Sequence, residues 1–347
     1  MDAKPSSETK PRAVKAWPGG IPNARTVLEN TPVMASASIL IVQLLTIFIN
    51  KLPVTERLYE RMNATYSAEN IHIFGTFFIT AAALWAPCLA FMYADLTERP
   101  KWLFKYKVQP WKRVGPKEYL KICIIVLRNQ IFVNFPMAII MGKVIAPYRG
   151  MRTNLPLPGV VETMGTWWFC LACTEIGFFY VHRILHSPIF YARIHKKHHV
   201  RIYQLMSPSV AHVIAGIHRA SRPGIKLLYD AGARTFKPYA RYPRAHWCLI
   251  VMYFCDLGIG SACIHSGYNI PYFRRSLGHD YHHYSFNENF GPLGILDALH
   301  GTSKNFKRIM KEAQARHGGD YNKASQEVLG QLAQWEVEKE EREGKAI

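Results

Sequence analysis

"FYVHRILHSPIFYARIHKKHHV", residues 179–200, places five histidines in twenty-two residues, directly after an apolar stretch. His182 and His186 form HxxxH; His195, His198 and His199 form HxxHH. Residues at i and i+4, or at i, i+3 and i+4, share one face of a helix. Each cluster can therefore aim its rings at one point. Ser187 suits a helix N-cap and Pro188 the first helical position, so the two clusters are expected on two helices joined by a short corner. A second HxxHH follows at His279, His282 and His283.

A single HxxxH would read as ordinary interfacial histidine. Two HxxHH clusters among fifteen histidines in one chain point instead to metal binding. One zinc ion takes three or four protein ligands, fewer than this set offers, and imidazole also suits iron. Two metal ions sharing the set, with positions open for oxygen, fit the count. Neutral ligands leave the metal pair more positive, so a nearby carboxylate would matter. Residues 175, 179, 182 and 186 lie along one helical stripe, which makes Glu175 the candidate. A buried acid in an apolar segment is costly without a partner; a hydrogen bond to a ligand histidine is expected, with a purely structural role as the alternative.

Outward from the histidines, the 347 residues are 49% hydrophobic, with 43 Lys and Arg against 24 Asp and Glu and a formal net charge of +19. Basic residues lie between long apolar runs, which favours a membrane protein over a nucleic-acid-binding domain. Four apolar runs are candidate membrane spans: 31–50, 71–94, 122–146 (containing Arg128 and Pro136, hence kinked) and 163–181. The expected fold is an all-α membrane bundle of about four spans with a cytosolic, helical, histidine-rich cap for two metals. Residues 1–30 are polar and read as a disordered cytosolic N-terminus, 31–305 as a membrane-embedded domain that carries the histidine clusters, and 306–347 as a charged cytosolic helical tail.

Basic residues crowd the loop 95–121 (Arg99, Lys101, Lys105, Lys107, Lys112, Arg113, Lys117, Lys121). Placing that loop in the cytosol puts both termini and the histidines there too. It puts loop 51–70, with the sequon Asn63-Ala64-Thr65, in the lumen. All seven cysteines fall in apolar stretches, and Cys170 and Cys173 form a CxxC with no second pair. They read as core residues rather than as a disulfide frame.

Further motifs accompany the clusters: "KYKVQP" (105–110), "HRILH" (182–186), "IHKKHH" (194–199), "HSGYNIP" (265–271) and "HDYHHYSFNENFGPLGILDALHGT" (279–302). With these the sequence resembles the fatty-acid-hydroxylase/sterol-desaturase superfamily, most nearly its C-4 methylsterol monooxygenase branch, over residues 95–305. The resemblance implies a multi-pass endoplasmic-reticulum enzyme with a non-heme di-iron centre. Such an enzyme uses O2, and electrons from NAD(P)H through cytochrome b5 or a reductase, to hydroxylate a C–H bond of a membrane lipid or sterol, plausibly a 4-methyl group. It adds His265 to the ligand set, making nine with His182, His186, His195, His198, His199, His279, His282 and His283. Fatty-acyl, sphingoid or terpenoid hydroxylation or desaturation needs the same oxidant and stays open. So does a catalytically inactive relative.

Residues 200–246 depart from the family, which has "AHPxE" and an apolar hairpin there. Ala211-His212 could begin the motif, but Val213 and Ala215 replace its Pro and Glu. Arg219 to Arg244 carries seven Lys or Arg against Asp230 alone. The stretch is expected to be a gene-model or splicing artefact, the alternative being a genuine basic segment in which His212 or His218 could be a tenth ligand. One apolar segment follows, 247–264. A single crossing from the histidine side would strand His265 across the membrane from His279, so a re-entrant, hairpin or non-spanning element is expected.

Overall fold

The computed structural model describes residues 33–107, 114–191, 195, 245–268, 270 and 277–342. The expected disordered N-terminus, His198, His199, His212, His218 and nearly all of the 200–246 stretch lie outside them. Among the described residues there are helices and two isolated β-bridges, Lys107 with Tyr268 and Arg152 with His246. This is the all-α bundle expected from the apolar runs.

Three helices are long and apolar enough to cross a membrane: α3 (Ala68–Thr97), α4 (Pro116–Arg149) and α7 (Trp247–His265). A bent pair, Ile39–Asn50 with Pro53–Thr65, makes a fourth if counted together; its limbs, α1 (Val33–Asn50) and α2 (Pro53–Thr65), meet at 75°. Pro53 opens α2 and cannot continue α1, because it has no N–H to donate. The expected span at 163–181 is the 26-residue helix α5 (Val160–Leu185). Its length, about 39 Å, suffices for a crossing, but with Glu162, Glu175 and Arg183 it is not among the helices apolar enough to span. In α4 a wide π-helical turn, Gln130–Asn134, directly precedes Phe135-Pro136. The irregularity therefore sits where Pro136 removes a backbone donor.

The innermost span is α7, 56% buried against 17% for α3 and 22% for α4. Its Ala262 and Cys263 pack with Leu84, Cys88 and Phe91 of α3 and Tyr119 and Val126 of α4. Its Tyr253 joins Ile39 of α1 and Trp167 and Leu171 of α5. The lipid-facing surface is large and apolar, with Phe78, Leu120, Phe132 and Trp168 among its exposed residues.

α7 is one unbroken helix, neither hairpin nor re-entrant. It begins at the end of the bundle opposite the histidines. There Arg152 donates its N–H to the Ala245 carbonyl at 3.3 Å, and the His246 amide donates to Glu162 Oε1 at 3.2 Å. A single passage then carries His265 to the histidine end. The sequence-based expectation assumed entry from the histidine side, and the starting point reverses that. At the same far end Asn63 donates to the Tyr59 and Thr153 carbonyls (2.8 and 3.0 Å) and accepts from Thr153 Oγ1 (2.8 Å). The sequon side chain is thus engaged in the fold, so it lends no support to a luminal loop.

After the histidines come α8 (Leu277–Ser285), α9 (Ile295–His300), α10 (Lys304–Arg316) and α11 (Tyr321–Arg342). The tail is not simply solvated. Leu277 and Tyr281 of α8 are fully buried against Met310 and Ala313 of α10 and Ala324, Val328, Leu329 and Leu332 of α11. The charged residues around them conceal this apolar seam.

Candidate metal centre

Three chain segments deliver histidines to one end of the bundle. The last turn of α5 carries His182, with His186 as its C-cap. Ser187 and Pro188 then start the short helical turn α6 (Pro188–Phe190), as N-cap and first residue, and His195 lies just beyond. α7 ends on His265, and α8 carries His279, His282 and His283.

These seven rings form two groups. In the first, His182, His186, His195 and His282 bring one ring nitrogen each within 4.8 Å of all the others; in the second, His265, His279 and His283 do the same. The first has His182 Nε2 3.2 Å from His195 Nε2 and His186 Nε2 3.0 Å from His282 Nε2. The second has His279 Nε2 2.8 Å from His283 Nε2. Two nitrogens bound about 2.1 Å from one ion lie roughly 3.0–3.4 Å apart at ordinary coordination angles, so the four-histidine group fits a shared metal. The groups adjoin through α8, where the His279 and His282 ring centroids are 5.7 Å apart. The second HxxHH therefore does not aim at one point: His282 joins the first group, while His279 and His283 join the second.

Ring orientation is set by the backbone of the loop after α8. His182 Nδ1 lies 2.8 Å from the Phe290 carbonyl oxygen and His282 Nδ1 2.7 Å from that of Glu288. A carbonyl only accepts, so each Nδ1 carries the proton and each Nε2 keeps its lone pair for a metal. The Phe290 ring, 5% exposed, lies edge-on to His182, His186 and His282 at centroid distances of 5.7, 5.4 and 5.3 Å. It forms a dry wall beside the group.

The fatty acid hydroxylase family model matches residues 167–302, a stretch that begins on α5 and contains both groups. The chain is 35% identical to fatty acid hydroxylase ahd1 of Mycosarcoma maydis, over 97% of its own length and 84% of that protein's. The chain belongs to the fatty acid hydroxylase family. Fatty acid hydroxylase domain-containing protein 2 of Homo sapiens is 30% identical over 75% of each chain. A putative methylsterol monooxygenase of Dictyostelium discoideum is 28% identical over 70% of this chain and 87% of that one. No solved structure matches.

Against that family background, the position of Glu175 differs from expectation. Its carboxylate is buried, but it accepts from the Leu293 amide (Oε2, 2.9 Å) and the Leu296 amide (Oε1, 2.9 Å) rather than from a ligand imidazole. Those amides lie more than a hundred residues away in sequence, beyond the reach of a helical-stripe argument. Two carboxylates escaped sequence reasoning. Asp297 accepts from the amides of Phe290 (2.8 Å) and Gly291 (2.6 Å) and from Thr302 Oγ1 (2.6 Å). Burial nevertheless pushes its pKa up to about 6, and the Glu175 charge works in the same direction. Glu288 accepts from the Asn305 and Phe306 amides (3.1 and 2.9 Å) and from Asn305 Nδ2 (2.8 Å), capping α10. A Cβ on Gly291 would lie 3.0 Å from both Asp297 Oδ2 and Glu175 Oε1, so a side chain there would have to push both carboxylates aside. The available sequence signal was acidic residues set among the apolar ones of "NENFGPLGILDALHGT". His300 lies outside both groups and stacks on Phe179 at 4.9 Å, while His246 and His72 are buried at the far end.

Proposed function

We propose that this protein is a membrane lipid hydroxylase whose two histidine groups each hold one iron ion. The observation that carries this reading is seven converging imidazoles at one end of a bundle of lipid-exposed apolar helices. His182, His186, His195 and His282 would hold one ion and His265, His279 and His283 the other, with His198 and His199 completing the set. Bound there, iron would supply the oxygen chemistry, using O2 and electrons from NAD(P)H passed through cytochrome b5 or a reductase to hydroxylate a C–H bond. The protein's own share is orientation and exclusion of water. The Phe290 and Glu288 carbonyls hold the Nδ1 protons, and the Phe290 ring screens the first group. Glu175 acts as a positioning residue through the loop amides it holds.

The basic residues of loop 95–121 favour a cytosolic histidine end in the endoplasmic-reticulum membrane. Lys107, in that loop, bridges to Tyr268, three residues past His265. The motifs shared with C-4 methylsterol monooxygenases favour a sterol substrate, plausibly at a 4-methyl group. A fatty-acyl substrate is the second reading, favoured by the likeness to ahd1 along 97% of the chain.

The test joins metal analysis to lipid analysis. Purified protein reconstituted anaerobically is expected to hold close to two irons, and His182→Ala or His282→Ala to lose iron and turnover while still inserting in membranes. Protein that takes up no metal would instead be an inactive relative. In a deletion strain, accumulated 4-methylsterols assign the sterol substrate. Normal sterols with missing hydroxylated acyl lipids assign the fatty-acyl one.

A further inference from the structure

The two carbonyls that fix His182 and His282 belong to peptide planes, and a peptide plane is rigid, with its C=O and N–H pointing in opposite directions. The Phe290 carbonyl shares its plane with the Gly291 N–H. On one side that plane accepts from His182 Nδ1 at 2.8 Å; on the other it donates to Asp297 Oδ2 at 2.6 Å. The Glu288 carbonyl shares its plane with the Asn289 N–H. It accepts from His282 Nδ1 at 2.7 Å, and the Asn289 amide donates to the Thr302 carbonyl at 2.7 Å. Thr302 in turn donates through Oγ1 to Asp297 Oδ1 at 2.6 Å and through its amide to the Asp297 carbonyl at 2.9 Å. Both lines of hydrogen bonds end on one side chain, which is 1% exposed.

We propose that Asp297 is the positioning residue of the four-histidine site, holding His182 through the 290–291 peptide and His282 through Thr302 and the 288–289 peptide. The inference rests on the metal-binding reading above. Metal-binding histidines commonly donate their second N–H to a carboxylate or a carbonyl, which fixes the tautomer and raises ligand basicity. Here one carboxylate serves two histidines, through one peptide to His182 and through Thr302 and a second peptide to His282. Its negative charge polarises the 290–291 peptide directly, strengthening the Phe290 carbonyl as an acceptor, while on the His282 side it holds Thr302 in place. Asp297→Asn keeps the shape but places an NH2 group where only acceptors fit, so one donor loses its partner and the charge is gone.

The experiment is a Co(II) titration of chelator-stripped, full-length protein in detergent, followed by visible absorption, with chain stability measured in parallel by thermal unfolding. Wild type is expected to take up two ions. Asp297→Asn should weaken uptake at the four-histidine site by roughly 10- to 100-fold and leave the three-histidine site unchanged. Thr302→Val, a milder change that cuts only the hydroxyl link, should lower the same affinity by less, and Thr302→Ser should restore it. Unchanged Co(II) affinity in both Asp297→Asn and Thr302→Val would overturn the proposal. So would equal weakening of both sites, which is what a general loosening of the fold would give. A wild type that binds no Co(II) defeats the metal reading itself, an outcome distinct from a binding wild type with indifferent variants.

Discussion

Replacing Lys107 by Met tests the buried charge cluster at the histidine end of the bundle. Lys107 Nζ donates to Asp95 Oδ1, and the two side chains are 10% and 2% exposed. Tyr268 and Tyr119 also donate to the Asp95 carboxylate, both at 2.6 Å. Removing one partner of a buried pair typically costs about 3–5 kcal/mol, because the remaining charge is stranded. Asp95 would keep its two tyrosine donors, so the lower end, about 3 kcal/mol, is expected. That is roughly a hundredfold in the folding equilibrium. The assay is the midpoint of reversible unfolding in mixed detergent and SDS. Adding Asp95→Asn to Lys107→Met should recover much of the loss, since the stranded charge is then removed. Because Tyr268 follows the left-handed Gly267 (φ +70°) in the turn after His265, Lys107→Met should also lower metal occupancy of the three-histidine group. An unchanged midpoint for Lys107→Met, or a double variant costing the sum of the two singles, would refute the reasoning.

Glu175→Gln retains one acceptor for the Leu293 and Leu296 amides and Glu175→Leu retains none. At about 1–3 kcal/mol for each orphaned buried group, stability and iron content should rank wild type, Gln, Leu; a Leu variant with full iron would end the idea. Gly142→Ala would drive a Cβ into Ile73 Cγ1, whereas a Cβ on Gly177 meets nothing within 4 Å. The first should therefore lose about 1–3 kcal/mol to overpacking and the second none, which thermal unfolding in detergent can compare. Hydrogen bonds from Arg316 and His317 hold the Glu327 carboxyl below the usual glutamate range. Its contribution is present above the unfolded value and is lost only as pH falls through the lower folded one. Protease resistance of α11 should thus survive at pH 5.5 and weaken in stronger acid; release at pH 5.5 would contradict this.

Local spacing was enough to show which histidines could converge. His182 and His186 lie one helical turn apart, as do His279 and His283, and any helix brings such pairs together whatever surrounds it. The uncharged run 71–94 marked a helix long and apolar enough to cross a membrane in the same way, because a bilayer admits long apolar helices. The corner at Ser187-Pro188 was likewise legible, since capping is decided within a few residues.

Tertiary structure decided everything that depended on distant partners. His282 and His283 are neighbours in sequence, yet they serve different groups, because His182 and His186 approach α8 from one side and His265 from the other. Glu175 lies on the histidine stripe, but its hydrogen-bond donors are amides on a loop brought in from residues 293–296, so the helical stripe named the wrong donor. The direction of α7 followed from where Ala245 meets Arg152, and apolar content carries no direction. The tail's seam against Leu277 and Tyr281 stayed hidden for the same reason: a charged helix shows which residues can face water, but only its neighbour determines which face is buried.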